Sequence, residues 1–141
     1  MRIVSILFLL LFALPTNAQE VKTHLYKGTV GANLAVTFYL QESLQPCTGE
    51  TVYEGMYQYT GKSNWLQLDI TAEKEQLAMV EYRLTGILLL RKISNTLNGL
   101  WISPDGKRQL PVKLFKTTIS GPEQKRLEDT FEKVNYENHD C

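Results

Sequence analysis

Residues 97–114 read LNGLWISPDGKRQLPVKL, with two short apolar runs on either side of a polar turn formed by Ser103, Pro104, Asp105 and Gly106. Proline presets φ at the second position of a turn, and glycine accepts the positive φ that closes a tight turn. The stretch therefore predicts an antiparallel β-hairpin. Most of the chain before it repeats the same order of strand, turn and strand.

Alternation of apolar and polar residues predicts eight strands in series. They cover residues 23–30, 34–41, 51–60, 65–71, 77–84 and 87–93 and the two arms of the hairpin. Their short connections exclude most parallel pairs, which need about a dozen or more linking residues. We therefore predict an all-β antiparallel meander that closes into a small lipocalin-like barrel, with a strongly curved open sheet as the alternative.

Two details of this prediction concern burial. In the fifth strand we expect Ala78, Val80, Tyr82 and Leu84 to point inward. Residues 42–50 contain proline, cysteine and glycine and interrupt the alternation, so we expect an exposed loop there.

The pattern changes after the last predicted strand. Ser120 and Glu123 fit a capping box, in which a serine side chain caps the helix and a glutamate follows three residues later. An apolar stripe then follows at the spacing i, i+4 and i+7: Leu127, Phe131 and Val134. This predicts an amphipathic helix of about four turns that lies against the outside of the barrel or caps one end. Residues 136–141 are expected to be a polar tail.

The first residues resemble a secretory signal peptide. Arg2 supplies a positive start, residues 3–14 are almost wholly apolar, and Ala18 precedes Gln19 at a suitable cleavage site. The apolar run is shorter than the roughly 20 residues of a spanning helix. We therefore predict a signal peptide over residues 1–18, a β-meander domain over 19–118 and a helix with its tail over 119–141. The chain would be exported to the periplasm or the medium, with no membrane span after cleavage.

The balanced charge of the chain argues against one class of partner. Fifteen basic residues balance fifteen acidic residues, so no positive excess is present to bind a phosphate backbone and nucleic acid is not predicted as a partner.

The chain has two cysteines, Cys47 and Cys141. An even number of cysteines in an oxidising compartment favours a disulfide between them. Two unpaired thiols, or pairing between chains, are the alternatives.

The sequence contains no recognisable catalytic or metal motif. His24 and His139 are the only histidines, and neither G-x-S-x-G nor H-E-x-x-H occurs. We therefore predict no catalytic residue, no metal and no cofactor. Glu54 and Glu81 each interrupt a strand face and are the candidates for a weak carboxylate-dependent hydrolase. The alternative is that both glutamates lie on the surface, opposite a lysine or an arginine, and have no catalytic role.

Aromatic residues are the best candidates for binding. Tyr53, Tyr57 and Tyr59 share one strand face, and Trp65 and Trp101 add large rings elsewhere. Such rings stack on sugars and line apolar cavities, although they also fill barrel cores. The predicted function is an exported non-catalytic binding module for a small apolar molecule or a glycan. A protein that binds or inhibits an exported protein partner is the alternative, and the weak hydrolase is a second.

Three segments carry a family resemblance. Residues 51–59, 65–68 and 97–112 resemble the order G-x-Y-x-Y … I-x-L … G-x-W-x-S-P-D-G-K … L-P, after a first strand at 25–30. The chain resembles small secreted bacterial β-proteins with this pattern, and it is faintly similar to the G-x-W strands of lipocalin- and avidin-like barrels. The resemblance implies an exported β-domain without an assigned activity. Cys47, Cys141 and the C-terminal helix depart from the pattern.

Overall fold

The computed structural model describes residues 19–139, in which eight antiparallel strands form a closed barrel and one α-helix packs on its outside. The elements are β1 (Lys22–Val30), β2 (Leu34–Leu44), β3 (Thr51–Tyr59), β4 (Leu66–Glu73), β5 (Gln76–Glu81), β6 (Ile87–Ile93), β7 (Thr96–Ile102), β8 (Gln109–Thr117) and α1 (Gly121–His139). β1 pairs with both β2 and β8, which closes the barrel. The predicted meander with a C-terminal helix is confirmed, in its barrel form.

Some predictions fall outside the described residues. The predicted signal peptide, residues 1–18 with cleavage after Ala18, lies outside the described residues. Cys47 is exposed in the loop between β2 and β3. Its predicted disulfide partner, Cys141, also lies outside the described residues.

The turn of the β7–β8 hairpin forms as predicted. The backbone N–H of Gly106 donates to the carbonyl of Ser103 at 2.8 Å, and Gly106 has a φ of 72°. The Ser103 hydroxyl donates to Asp105 at 2.6 Å and accepts from the N–H of Arg108 at 3.0 Å. Because the serine side chain joins both arms of the turn, the hairpin is locally determined.

The barrel has two distinguishable ends. The connections 30–34, 59–66, 81–87 and 102–109 meet at the end that we call the upper end. The connections 44–51, 73–76 and 93–96 meet at the opposite, lower end. Helix α1 begins near the lower end, where β8 finishes, and runs towards the upper end, where the hydroxyl of Tyr82 donates to the carbonyl of Asn138 at 2.8 Å.

Helix α1 covers the outer face of the first three strands, as one predicted alternative proposed. The N–H of Glu123 donates to the Ser120 hydroxyl at 3.3 Å, which is the first half of the predicted capping box. The buried outer cluster under the helix consists of Leu25, Tyr39, Met56, Leu127 and Phe131. Within residues 19–139, no helix has the length and apolar character needed to cross a membrane.

The predicted polar tail is wrong over residues 136–139, which are helical. The side-chain amide of Asn138 donates to Gln67 of β4 at 2.7 Å, and the Gln67 amide donates to Asn135 at 2.8 Å. These two bonds to the barrel stabilise the last turn. Sequence patterning misses them because their partners lie about seventy residues apart.

The predicted inward face of the fifth strand is also wrong. Leu77, Met79 and Glu81 point inward, whereas Ala78 and Val80 point outward. Both faces of this strand are apolar, so alternation alone did not decide between them. The pairing with β6 decides, because it places Leu77 and Met79 beside the buried residues of that strand.

The same segment ends as a strand earlier than predicted. Residues 82–84 form a short 3₁₀ turn, in which Arg83 and Leu84 have φ values of 64° and 56°. At the other end of the barrel, β2 continues to Leu44 and shortens the predicted loop over residues 42–50, because Glu42 and Ser43 pair with β3.

Candidate functional site

The five aromatic residues predicted to bind a ligand lie in three different places. Tyr57, Tyr59 and Trp101 point into the lumen near the upper end, and Tyr53 points into it near the lower end. Trp65 lies on the outside, against the cluster beneath α1. A ligand-binding role for each of them stays a prediction, but they do not line one shared site.

The upper cluster consists of Tyr57, Tyr59, Glu81, Thr85 and Trp101, and it surrounds a buried carboxylate. Glu81 is only 3% exposed. The indole N–H of Trp101 donates to Glu81 Oε1 at 2.7 Å, and the Tyr57 hydroxyl donates to the same oxygen. The Thr85 hydroxyl donates to Oε2 at 2.6 Å. Both carboxylate oxygens are therefore satisfied, as a buried charged group requires.

The tyrosines of the upper cluster remain protonated donors. Burial, followed by the hydrogen bond to Glu81, raises the pKa of the Tyr57 phenol far above its usual range. Burial also raises the pKa of Tyr59, whose hydroxyl lies 3.3 Å from that of Tyr57. The donors of this cluster are therefore used within the barrel, and the cluster closes its upper end.

Gly86 makes room for the upper cluster. A Cβ atom at this position would lie 2.4 Å from Trp101 Nε1 and 2.6 Å from Glu81 Oε1. The backbone carbonyl of Gly86 also accepts from the N–H of Glu81 at 3.0 Å. Glycine is thus required here because the carboxylate and the indole approach the backbone closely.

The lower cluster consists of His24, Glu42, Tyr53 and Lys92. His24 Nε2 donates to Glu42 Oε2 at 3.0 Å, and Lys92 Nζ donates to the same oxygen at 3.2 Å. Lys92 also donates to the Tyr53 hydroxyl at 3.2 Å. The other imidazole nitrogen, Nδ1 of His24, is buried and has no partner among the described residues.

Burial and ion pairing compete in the lower cluster. Burial lowers the pKa of His24 and outweighs the opposing hydrogen bond to Glu42. Burial would raise the pKa of the Glu42 carboxyl, but the hydrogen bonds from His24 and Lys92 outweigh it and hold this pKa below its usual value. At neutral pH the cluster therefore contains a neutral imidazole and an ammonium group that both donate to one carboxylate.

Between the two clusters, side chains fill the lumen. Phe38 and Tyr57 stack with their ring centroids 4.4 Å apart. The side chains of Met79, Leu88 and Leu97 are fully buried. Because water reaches none of these surfaces, no cavity of the size of a water molecule adjoins them, and the interior resembles a packed core. The residues that fill it are Tyr26, Val30, Val36, Phe38, Leu40, Tyr53, Tyr57, Leu68, Leu77, Met79, Leu88, Leu90, Leu97, Val112 and Leu114.

A cleft of about 540 Å³ lies on the outside of the barrel, where β3 and β4 separate. We call it the seam cleft. Residues 52–54 and 68–70 supply its two strand walls, while the C-terminal half of α1 and the 3₁₀ turn at 82–84 border it. Its volume lies in the range of ligand-binding pockets, which is about 300–1,000 Å³.

The seam cleft combines charged groups, amides and rings. Glu54 and Asp69 are exposed on its strand walls. Arg83 lies on its border, with the guanidinium carbon 5.5 Å from the centre of the Tyr82 ring. Phe131 of α1 also lines it. Such a surface can hydrogen-bond, pair charges and pack against a flat apolar group.

The two glutamates considered for hydrolysis both border the seam cleft, but they differ in burial. Glu54 is exposed on the outer face of β3, whereas Glu81 is buried in the lumen with its oxygens occupied. Sequence analysis missed Asp69 and Arg83. Asp69 lies on the polar face of an alternating strand and does not stand out there, and its position opposite Glu54 depends on the β3–β4 register.

The fold defines this protein as a small, closed, antiparallel meander barrel with a packed lumen and one helix on its outer face, within residues 19–139. Comparison with protein-family models, with curated proteins and with solved structures gives no match. The resemblance to small secreted bacterial β-proteins therefore stays a prediction.

Proposed function

We propose that this protein is an exported, non-catalytic binding module whose ligand binds in the seam cleft rather than in the lumen. The observation that carries the proposal is the contrast between a filled interior and an open cleft of about 540 Å³ at the β3–β4 junction. Export is supported by the signal-peptide pattern of residues 1–18.

The packed lumen argues against a small apolar ligand inside the barrel. Phe38, Met79 and Leu97 would have to move apart to admit one, because they are fully buried. Displacing core side chains is costly in a close-packed interior. The seam cleft needs no such rearrangement, and its charges favour a polar ligand.

The hydrogen bonds of Glu81 argue against its predicted role in hydrolysis. Glu81 accepts three hydrogen bonds inside the barrel, so its oxygens are not free to reach a substrate. Glu54 stands on the outer face. A glycosidase needs two carboxyl groups that are free to flank one bond, and Glu81 is not free in this way.

Nuclear magnetic resonance of ¹⁵N-labelled protein tests the proposal. A panel of neutral oligosaccharides, apolar probes and peptides is added, and amide shifts are mapped. We expect a binding probe to shift the amides of Asp69, Ile70 and Arg83, and the variant Asp69→Ala to weaken that response. The matched variant Lys27→Ala, on a different part of the outer surface, should keep it. Shifts centred on lumen residues such as Leu97, or no shifts with any probe, would overturn the proposal.

A second candidate function is binding of an exported protein partner, and one surface favours it. Ala78, Leu89, Leu100 and Pro111 are neighbours across β5–β8 and form an apolar row on the outer face. Leu89 is 49% exposed and Leu100 is 39% exposed. Contiguous exposed apolar surface of this kind marks interaction sites.

The apolar row is tested by the double variant Leu89→Ser/Leu100→Ser. It should abolish association with a co-purifying exported partner, or self-association in sedimentation experiments, if the row is an interface. Leu34→Ser is the matched control, because Leu34 is similarly exposed at the β1–β2 turn. Equal behaviour of both variants would remove this candidate.

A further inference from the structure

We infer that the ligand of the seam cleft is an extended peptide segment bearing lysine or arginine, which hydrogen-bonds to the free edges of β3 and β4. The inference rests on the proposed function, since it names the ligand class of the same cleft. It follows from the pairing of the two strands, the direction of their backbone groups and the charges beside them.

The β3–β4 ladder stops after three pairs. Gly55 pairs with Leu68, Met56 with Gln67 and Tyr57 with Leu66. By contrast, the β2–β3 ladder runs the full length of β3, from Thr51 to Tyr59. The lower half of β3 therefore has a partner on one side and an open edge on the other, and the same holds for β4 below Leu68.

The ladder stops where two like charges would meet. In the register of the last pair, Gly55 with Leu68, the next pair would be Glu54 with Asp69. Both side chains would lie on the outer face, directly opposite each other, and like charges in that position destabilise a strand pair. Repulsion between the two carboxylates would therefore oppose extension of the ladder beyond Gly55 and Leu68.

The strand edges beside the cleft present backbone groups that the β3–β4 ladder does not use. The N–H of Thr60 donates to the carbonyl of Ala35 at 2.9 Å, which identifies the residues of β3 that bond to β2. Because backbone direction alternates along a strand, Thr51 and Tyr53 point their N–H and C=O groups towards β4 instead. On β4, the same alternation directs Ile70 and Ala72 towards β3. All four residues lie beyond the end of the ladder.

Open strand edges are sites at which a further chain adds by backbone hydrogen bonding. The open part spans residues 51–54 on β3 and 69–73 on β4. At about 3.4 Å per residue, it accommodates about four or five residues of an extended peptide. A peptide repeats N–H and C=O groups at the spacing of a strand edge and a saccharide does not, so the free backbone groups favour a peptide.

Charge narrows the choice of peptide. Among residues 19–139, neither Glu54 nor Asp69 takes part in an ion pair. The nearest cation that lines the cleft, Arg83, stacks over the Tyr82 ring on the border. A lysine or arginine on the outward side of an added strand would lie between the two carboxylates and remove their repulsion. An acidic peptide would increase it.

Selection from a displayed library of random twelve-residue peptides tests the inference. The immobilised protein should enrich segments that alternate β-branched residues with lysine or arginine and contain no internal proline, since proline cannot donate to a ladder. In the best peptide, N-methylation at alternate residues should weaken binding at least tenfold. Peptide binding should also slow hydrogen exchange at the amides of Tyr53 and Ile70.

Two charge reversals make the test specific. Glu54→Lys and, independently, Asp69→Lys place opposite charges across the seam, so each should favour closure of the ladder and weaken the peptide at least tenfold. Glu132→Lys, at an exposed position of α1, is the matched control and should leave affinity unchanged. Circular dichroism verifies that each variant is folded, and either seam variant suffices for the test.

The outcomes separate this inference from the function on which it rests. No enriched peptide, enrichment of acidic peptides, or equal binding to both seam variants would overturn the inference. If neutral oligosaccharides shift the amide resonances of the cleft while peptides do not, the proposed binding function is supported and the inferred peptide ligand is wrong. If nothing shifts these amides, both proposals fall.

Discussion

The Trp101 indole nitrogen lies 2.7 Å from the buried Glu81 carboxylate, to which it donates a hydrogen bond inside the barrel. These residues come from β7 and β5, which are not adjacent in the sheet. Together with Tyr57 and Thr85, the pair makes the upper end of the barrel a polar closure above an apolar core. Its energetics can be measured directly.

Replacing Trp101 with phenylalanine should destabilise the fold. The change keeps an aromatic ring but removes one of the three donors to the carboxylate of Glu81. Losing a hydrogen-bond donor to a buried charged group costs about 1.5–3 kcal/mol. Urea unfolding measures the difference. Trp65→Phe, on the outside, is the control and should cost less; equal losses would contradict the assigned role of the indole N–H.

Gly86→Ala should also be destabilising. The added methyl group would lie 2.4 Å from Trp101 Nε1, so the upper cluster would have to shift. Overpacking of this kind costs about 1–3 kcal/mol. Thermal and urea unfolding should both report the loss. Gly121→Ala meets no atom within 4 Å and serves as the control. Similar stability of the two variants would show that the upper cluster accommodates the added methyl group without loss of stability.

Docking of α1 should depend on Phe131. Its ring is buried, 6.2 Å from the Tyr39 ring, in the cluster between helix and barrel. Phe131→Ala should cost about 3–5 kcal/mol in unfolding free energy. Tyr136→Ala, on the exposed side of the same helix, should change it by no more than about 0.5 kcal/mol. If the two variants unfold at the same urea concentration, the helix contributes little to the folded state.

Stability should fall with acidification below neutral pH because of His24. Burial lowers its pKa from the ordinary value of 6.5, so the unfolded state binds a proton more readily than the folded state. The contribution is present above pH 6.5 and is lost as pH falls from there towards the lower, folded pKa. Glu42, whose pKa is also lowered, adds a second loss beginning near 4.5.

Urea midpoints measured from pH 7.5 down to 5 check the His24 prediction. His24→Gln removes the titrating imidazole and should flatten the decline between about pH 6.5 and 5. If the urea midpoint of His24→Gln falls with pH as steeply as that of the original protein, other groups cause the acid sensitivity. The second decline, near the titration of Glu42, lies below this window.

Local patterns in the chain predicted the strands, the hairpin and the helix. In the hairpin, Pro104 and Gly106 determine the turn before any distant contact forms. Leu127 and Phe131 identify the buried face of α1 by their spacing alone. The inward face of β5 could not be predicted in this way, because apolar residues occupy both faces of the strand. Only the pairing with β6 selects the inner face.

The candidate site was less predictable than the fold. Glu54 stood out in the sequence, but its importance depends on Asp69, which is opposite only in the β3–β4 register. The tyrosines of β3 share a face as predicted, and that face forms the core and the two polar clusters.

Element type and order are thus local properties of this chain, because turn chemistry and hydrophobic period act over a few residues. Closure of β1 on β8, the filled lumen, the burial of Glu81 and the seam between β3 and β4 are tertiary outcomes. They arise only when strands far apart in sequence adopt one register, since that register decides which side chains face inward and which charges meet.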